Sequence, residues 1–187
     1  MLKGKVSLKN KTKTILFVGR LTYQKNVNLL IKSFYKSCAV KKGWKLIIFG
    51  HGEELNFLKN EIQKLGINQH VIFKGISNKI NEWYAKSSIY IICSRYEGMP
   101  NVVLEAASAK LPIILSKGTG GALDYIVNNK SGIILKTNSS NELSKKINKL
   151  TSNKNLRKRL GHEAFKKIEH FTDFEKIYMY WKKVIIK

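Results

Sequence analysis

Two carboxylates in residues 94–105, Glu97 and Glu105, are the side chains of this 187-residue chain best placed for chemistry. The apolar run 89–93 before them predicts a buried strand. Pro100 predicts the start of a helix, because the first N–H of a helix lacks an intrahelical partner and proline loses nothing there. The open N–H groups of a helix start bind anions. Carboxylates beside an anion site suit a ligand with phosphates and several hydroxyls, such as a nucleotide sugar.

Two cations, Arg20 and Lys25, follow the apolar run 14–18, which predicts the first strand. Two cations that face a diphosphate would neutralise the charge that develops when a nucleoside diphosphate departs. Arginine offers a planar fork of donors and lysine a mobile point charge. Either side chain could also be an ordinary solvated loop charge. Because lysine is abundant in this chain and arginine is rare, Arg20 is the stronger candidate.

Short apolar runs typical of strands alternate along the chain with segments whose apolar residues have helical spacing. This alternation predicts an α/β, Rossmann-like, doubly wound parallel sheet of about six strands, with helices on both faces. The predicted strands span 14–18, 45–49, 70–73, 89–93, 112–115 and 132–135, and the predicted helices span 26–40, 53–65, 79–86, 101–109, 141–151, 155–170 and 173–186. Residues 1–13 lack periodicity and are interpreted as a linker or frayed start, so the predicted domain spans 14–187. Such sheets bind ligands at the carboxyl ends of their strands, where both Arg20 and Glu97 fall.

The same segments resemble, in order, the retaining glycosyltransferases of family 4, which have the GT-B fold. Residues 97–105 resemble the family's Glu-x7-Glu signature, and residues 17–25 resemble its Gly-Arg-Leu-x-x-x-Lys segment. Further matches lie at 48–52, 71–75 and 120–126. The resemblance implies one half of a GT-B fold: the donor-binding C-terminal domain, with the N-terminal acceptor domain absent and needed in cis or in trans.

The resemblance also implies roles for individual residues. Arg20 and Lys25, next to Gly19, take the donor phosphates; Glu97 faces the transferred sugar; Glu105 holds the ribose hydroxyls. Glu97 would either stabilise an oxocarbenium charge or bind a ring hydroxyl. The remaining binding positions act through backbone groups or close approach: Ile76 and Ser77 at the base, and Gly98, Met99, Asn101 and Val102 around the phosphates. His51 stands where relatives often carry aspartate.

The function that these roles imply is transfer of a hexosyl unit, with retention, from a nucleoside diphosphate sugar. A UDP-sugar is the favoured donor, and the acceptor is a glycan or a lipid-linked sugar in bacterial surface polysaccharide or glycan assembly. The expected location is cytoplasmic, with peripheral attachment at the inner face of the membrane left open. No cofactor or metal is expected, because the four histidines show no ligand spacing and no Asp-x-Asp occurs.

The net charge of +23 admits other partners. An anionic membrane surface fits it. A nucleic acid is not expected, because the excess is almost entirely lysine, without the arginine and aromatic clusters of nucleic-acid sites. Cys38 and Cys93 are predicted to be buried thiols. A non-catalytic nucleotide-sugar-binding fragment and, less favoured, a basic nucleic-acid-binding domain remain the alternative functions. A dinucleotide oxidoreductase is excluded, because no Gly-x-Gly-x-x-Gly follows the first strand.

Overall fold

The computed structural model of the chain describes residues 11–171, with side chains described through residue 169. Within that range six strands form one parallel sheet in the order β3-β2-β1-β4-β5-β6. The strands are β1 Thr14–Val18, β2 Lys45–Phe49, β3 Val71–Gly75, β4 Ile89–Ile92, β5 Ile113–Leu115 and β6 Ile133–Ile134. The helices are α1 Val27–Lys36, α2 Leu55–Lys64, α3 Ile80–Lys86, α4 Asn101–Ser108, α5 Ser140–Ser152 and α6 Lys154–Phe171, with 3-10 turns at Tyr23–Lys25 and Lys117–Asp124. The predicted doubly wound sheet is confirmed. The predicted burial of the cysteines is confirmed for Cys93 and wrong for Cys38, which is exposed. The predicted helix 173–186 and residues 1–10 lie outside the described residues.

Apolar side chains cover both faces of the sheet, which explains why its strands are nearly continuous apolar runs. Ile15 and Phe17 of β1 pack on the face that α1, α2 and α5 cover. Leu16 points to the opposite face, where α3 and α4 pack. Each face is therefore buried by its own layer of helices, and the functional loops are left at the ends of the strands.

The direction of strand addition reverses beside β1. The chain first adds β2 and β3 on one side of β1 and then returns to place β4 on the other side. The loops after β1 and β4 therefore begin side by side and lead to opposite faces of the sheet. Ligands of doubly wound folds bind in the crevice that forms at such a point.

Most helix boundaries differ from the predicted ones by one or more residues, and at two of them the physical reason is visible. The helix predicted over 26–40 ends at Lys36, because Ser37 adopts an extended backbone and its hydroxyl donates to the Phe34 carbonyl at 2.6 Å. The helix predicted over 101–109, with Pro100 in its first turn, spans Asn101–Ser108, and Pro100 lies just outside it. Pro100 keeps an extended backbone as the N-cap residue, and its carbonyl accepts the first helical hydrogen bond from the Val103 N–H at 2.9 Å.

Lys11 joins the ends of two helices at the amino-terminal edge of the sheet. Its ammonium donates to the carbonyls of Ala85 at 3.2 Å, Ser87 at 2.9 Å and Ala109 at 3.4 Å. These carbonyls lie at the C-termini of α3 and α4, where a cation is favourable. Burial nevertheless lowers the pKa of Lys11 to about 8, because the buried site disfavours the charged form.

This depressed pKa predicts that the fold becomes more stable as the pH rises from about 8 towards 10.5. Over that window the unfolded chain binds more protons at Lys11 than the folded chain, so the free energy of unfolding increases with pH. Lys11→Met should reduce this increase by up to about 3 kcal/mol. Urea unfolding across the same pH range measures the effect. Lys13→Met, on an exposed lysine nearby, is the matched control, and equal pH dependence in both variants would refute the assignment.

Candidate functional site

A cavity of about 390 Å³ opens at the carboxyl end of β1, β2 and β3. Its walls are Val18, Gly19, Arg20, Phe49, Gly50, His51, Gly75, Ile76, Ser77 and Ile80. Four predicted binding residues, Gly19, Arg20, Ile76 and Ser77, thus line one space. His51, set aside in the sequence because it departs from the family pattern, lines it too.

Arg20 is exposed at this cavity, and its guanidinium has no hydrogen-bond or ion-pair partner among the residues the structure describes. All its donors are therefore available to an anion. The wall is otherwise largely apolar, with Phe49 on one side and Ile76, which is 86% exposed, on the loop after β3. An apolar wall with one free guanidinium suits a ligand with a planar apolar part and an anionic part.

Residues 76–78 follow β3, and the first two of them, Ile76 and Ser77, line the cavity. Ser77 accepts from the Lys79 N–H at 3.1 Å within the same loop. Among described residues, no hydrogen bond ties this stretch to the loops after β1, β4 or β5. Gly75 supports the turn with a φ of 63°, a left-handed conformation that favours glycine.

The loops after β1 and β2 meet backbone to backbone beneath the cavity. Gly19 donates to the Phe49 carbonyl at 3.0 Å, and Leu21 donates to the His51 carbonyl at 3.0 Å. A Cβ added at Gly50, whose φ is 136°, would overlap the Gly19 carbonyl oxygen. Glycine is therefore required there, for the close approach and for the backbone conformation.

Lys25 and Glu97, the other predicted pair of charges, bind each other. The Lys25 ammonium donates to Glu97 Oε1, and the buried Ser94 hydroxyl donates to the same oxygen at 2.7 Å. The two charged side chains are only 15% and 9% exposed. Of the two predicted phosphate-binding cations, Arg20 is therefore free, whereas Lys25 already neutralises a carboxylate.

Further contacts hold the Lys25 loop against the Glu97 loop. Arg95 lies 4.0 Å from the Tyr23 ring centroid, and its Nε donates to the Tyr23 carbonyl at 3.2 Å. Gln24 Nε2 donates to the Tyr96 carbonyl at 2.9 Å, and the Gln24 carbonyl accepts from the Arg95 N–H at 2.8 Å. The 3-10 turn Tyr23–Lys25 and residues 95–97 therefore form one unit across the crevice.

The loop after β5 supports this unit from its other side. The Ser116 hydroxyl donates to the Ser94 carbonyl at 2.5 Å, and the Gly121 N–H donates to the Gly98 carbonyl at 2.7 Å. A Cβ added at Gly120, whose φ is 51°, would overlap the carbonyl oxygen of Gly98. Gly120 and Gly121 matched the family pattern in the sequence, and their function in this structure is to let two backbones touch.

Glu105 lies on the second turn of α4, exposed to solvent. Beneath it two buried tyrosines, Tyr84 and Tyr90, pack with ring centroids 5.9 Å apart. Burial raises the pKa of Tyr90 well above its usual range, and the charges of Glu105 and Glu97 raise it further. Both carboxylates therefore lie around one buried phenol. Tyr90 was not predicted from the sequence, although an aromatic residue in the otherwise aliphatic strand 89–92 was a signal.

The start of α4 completes the predicted set. No side chain caps this end of the helix, so its first N–H groups, at Asn101 and Val102, remain available to an anion. Met99 is exposed beside it, with its sulfur 3.7 Å from the Tyr125 hydroxyl.

The predicted residues form two neighbouring groups. Gly19, Arg20, Ile76 and Ser77 line the cavity, and Lys25, Glu97, Gly98, Met99, Asn101, Val102 and Glu105 lie in or just after the adjoining crevice. Gly19 joins the groups, because a Cβ added there would lie 3.8 Å from Lys25 Cδ.

Within residues 11–169, no three or more His, Cys, Asp or Glu side chains are grouped so that they could hold a metal ion. Independence of metal remains a prediction. None of the helices in the described part of the chain combines the length and apolar character needed to cross a bilayer.

Comparison with known proteins assigns the family. The model of "Glycosyl transferases group 1" matches residues 2–167. The amylovoran biosynthesis glycosyltransferase AmsD of Erwinia amylovora is 35% identical over 155 residues, which cover 83% of this chain and 43% of that protein. An α-1,4-N-acetyl-D-galactosaminyltransferase of Campylobacter jejuni, named for a GalNAc-GalNAc-diNAcBac-PP-undecaprenol substrate, is 28% identical and is covered to 48%. The chain thus spans about half the length of these relatives.

A solved structure agrees with this assignment at the level of the fold. Staphylococcus aureus TarM, in a structure described as a complex with UDP, Fondaparinux and α-GlcNAc-glycerol, superposes with a TM-score of 0.85 at 23% identity. The match covers 91% of this chain and 35% of that one. The family-model match and the shared architecture together establish that the chain belongs to the group 1 glycosyltransferases and forms a C-terminal GT-B domain.

Proposed function

We propose that this domain binds a nucleoside diphosphate sugar, with a UDP-sugar favoured, and forms the donor half of a retaining hexosyltransferase. The observation that carries the proposal is the free Arg20 guanidinium beside the Lys25–Glu97 pair, at the point where strand order reverses. A cation without a partner in a ligand-sized cavity matches a diphosphate, and a carboxylate one loop away matches a polyhydroxylated sugar.

The positions of the apolar and charged side chains in the cavity suggest where the base, the phosphates and the ribose of such a donor would bind. The apolar wall of Phe49 and Ile76 suits the base, and Arg20 lies between that wall and the crevice. The uncapped start of α4 adds N–H groups for the phosphates. Exposed Glu105, on the second turn of α4, can accept hydrogen bonds from both ribose hydroxyls.

Lys25 acts by exchanging partners. When the diphosphate binds, its oxygens compete with Glu97 for the ammonium, and the charge of the departing nucleoside diphosphate strengthens this competition. Release from Lys25 leaves Glu97 held by the Ser94 hydroxyl and able to face the sugar. The chain's own cations thereby stabilise the transition state more than the ground state.

The acceptor side is supported by the relatives. AmsD is named for amylovoran biosynthesis, and the Campylobacter enzyme for an undecaprenol-linked substrate. We propose that the whole enzyme likewise adds sugars to a glycan or lipid-linked acceptor, as a peripheral protein at the inner face of the membrane. Exposed apolar side chains at the carboxyl edge, Tyr23, Ile76, Tyr96 and Met99, suit contact with donor, acceptor and an N-terminal domain.

The first prediction of this proposal concerns the diphosphate. Arg20→Ala should weaken binding of UDP by about 1.5–3 kcal/mol, because a charge-assisted hydrogen bond is lost. Binding of uridine, which has no phosphate, should change far less. Calorimetry without added metal measures both ligands, and Arg159→Ala on the exposed surface of α6 is the matched control. Equal losses for UDP and uridine would rule out a phosphate role for Arg20.

A second prediction concerns the ribose. Glu105→Gln should weaken uridine and UDP by similar factors, since both carry the ribose and the amide accepts hydrogen bonds less strongly than the carboxylate. The unmodified domain should also bind 5-methyluridine more tightly than thymidine, which lacks the 2′-hydroxyl. Competition binding followed by NMR tests both points, and indifference to the 2′-hydroxyl would remove Glu105 from the ribose.

A third prediction separates the transferase from a non-catalytic binding fragment. The 187-residue chain alone should transfer sugar slowly or not at all, because positioning of the acceptor supplies a large part of catalysis. A matching N-terminal GT-B domain supplied in trans should raise the rate, and Glu97→Gln should abolish that gain while UDP binding persists. A sugar-transfer assay with a UDP-sugar panel measures the rates. Rapid transfer by the chain alone would contradict the expectation, and no transfer with any matching domain would favour the binding fragment.

A further inference from the structure

A second, smaller cavity lies at the opposite edge of the sheet from the donor site. Its volume is about 60 Å³. Ser88 and Pro112, which line it, directly precede β4 and β5, so the cavity lies at the amino ends of the strands. Five cations make up the rest of the lining: Lys11, Lys110, Lys154, Arg157 and Lys158.

Two of these cations, Lys11 and Lys110, are held in place by contacts within the fold. The Lys11 ammonium is fixed by three helix-end carbonyls. Lys110 has a left-handed backbone, and its ammonium lies 4.5 Å from the Phe165 ring centroid. Gly161 of α6 allows close approach here, because a Cβ added at Gly161 would overlap the Lys110 carbonyl oxygen. The shape of the cavity is therefore set by the close packing of α6 against the end of α4.

Arg157 contributes donors that the protein leaves unused. Its Nη1 donates to the carbonyls of Leu150 at 2.6 Å and Thr151 at 3.3 Å. These contacts fix the guanidinium, and the described residues offer no acceptor to Nε or Nη2. Lys154 and Lys158 are exposed on the first turns of α6, whose amino-terminal end carries a positive partial charge.

No carboxylate balances these charges. The lining contains no acidic residue, and none of the ion pairs in the described part of the chain involves the five cations. Burial lowers the pKa of both Lys11 and Arg157, as expected where cations lose water without gaining a counter-charge. An anion bound among them would relieve this cost.

We propose that this cavity binds a phosphate group. The cavity of about 60 Å³ has room for a small oxyanion such as one phosphate group. A tetrahedral, doubly charged oxyanion can accept from the free Arg157 donors and from several ammonium groups at once. The same chemistry is offered by free inorganic phosphate and by the headgroup phosphate of an anionic lipid.

The site is independent of donor binding. Arg20 and Glu97 lie at the carboxyl edge of the sheet, whereas these cations lie at the amino edge, with the length of the strands between them. A ligand bound here would therefore contact the edge of the domain opposite the donor site.

The test uses the whole chain with two charge-matched double variants. Lys154→Ala/Lys158→Ala removes two cavity cations, and Lys145→Ala/Lys149→Ala removes two exposed lysines of α5. Binding of inorganic phosphate is measured by calorimetry, and binding to phosphatidylglycerol vesicles by co-sedimentation, with phosphatidylcholine vesicles as the blank. The cavity variant should lose about tenfold or more in affinity in at least one arm, and the α5 variant should lose much less.

Repeating the phosphate arm in the Arg20→Ala chain separates the two sites, because phosphate bound at the donor site then contributes less to the signal. The difference between the cavity variant and the α5 variant should persist in that chain, because the second cavity lies at the other edge of the sheet. Loss confined to the phosphate arm identifies a free ion as the ligand, and loss confined to the vesicle arm identifies a lipid headgroup. The inference is overturned by no binding in either arm, by equal losses in the two double variants, or by disappearance of the difference between them in the Arg20→Ala chain.

Discussion

The ion pair between Lys25 and Glu97 is the contact on which the arrangement of this site depends. It joins two loops that are distant in sequence and adjacent in space, because β4 returns to the side of β1. A pair this well buried is costly to separate, since either charge alone would lose both water and partner. The Ser94 hydroxyl fixes the shared oxygen, and Ser116 in turn fixes Ser94 through its carbonyl. The orientation of Glu97 is thus set by three strands of the sheet together.

The fold was predictable because its signals are local. Apolar runs of strand and helix period alternate, and parallel strands with helices on both faces are the simplest way to bury them. The positions of Arg20, Glu97 and Glu105 after strand ends also followed from that pattern. Helix ends were less predictable, since Ser37 ends α1 through its own hydroxyl and Pro100 serves as a cap.

What the sequence could not supply was the pairing of side chains across loops. Lys25 and Glu97 are 72 positions apart, and nothing local says that one will neutralise the other. The same holds for Tyr90, whose hydroxyl lies near two carboxylates only because α4 crosses its strand. The basic cavity is a stronger case, since Lys11 and Arg157 come from opposite ends of the domain. Because lysine is so abundant in this chain, the sequence does not indicate which of its cations lie together in this cavity.

The free loop at residues 76–78 has a consequence for how this domain can diversify. The loops after β1, β2, β4 and β5 touch through glycine backbones, so added side chains there collide with neighbouring carbonyls. Ile76 and Ser77 line the cavity without such ties. Gly75 before them is constrained by its φ of 63°, which favours glycine, and not by a neighbouring backbone. Substitutions are therefore expected to be tolerated unequally. The closely packed glycines of the loops after β1, β2, β4 and β5 tolerate little change, whereas residues 76–78 after β3 can vary freely. Homologous domains that share this backbone could acquire new preferences through a few substitutions in that one loop.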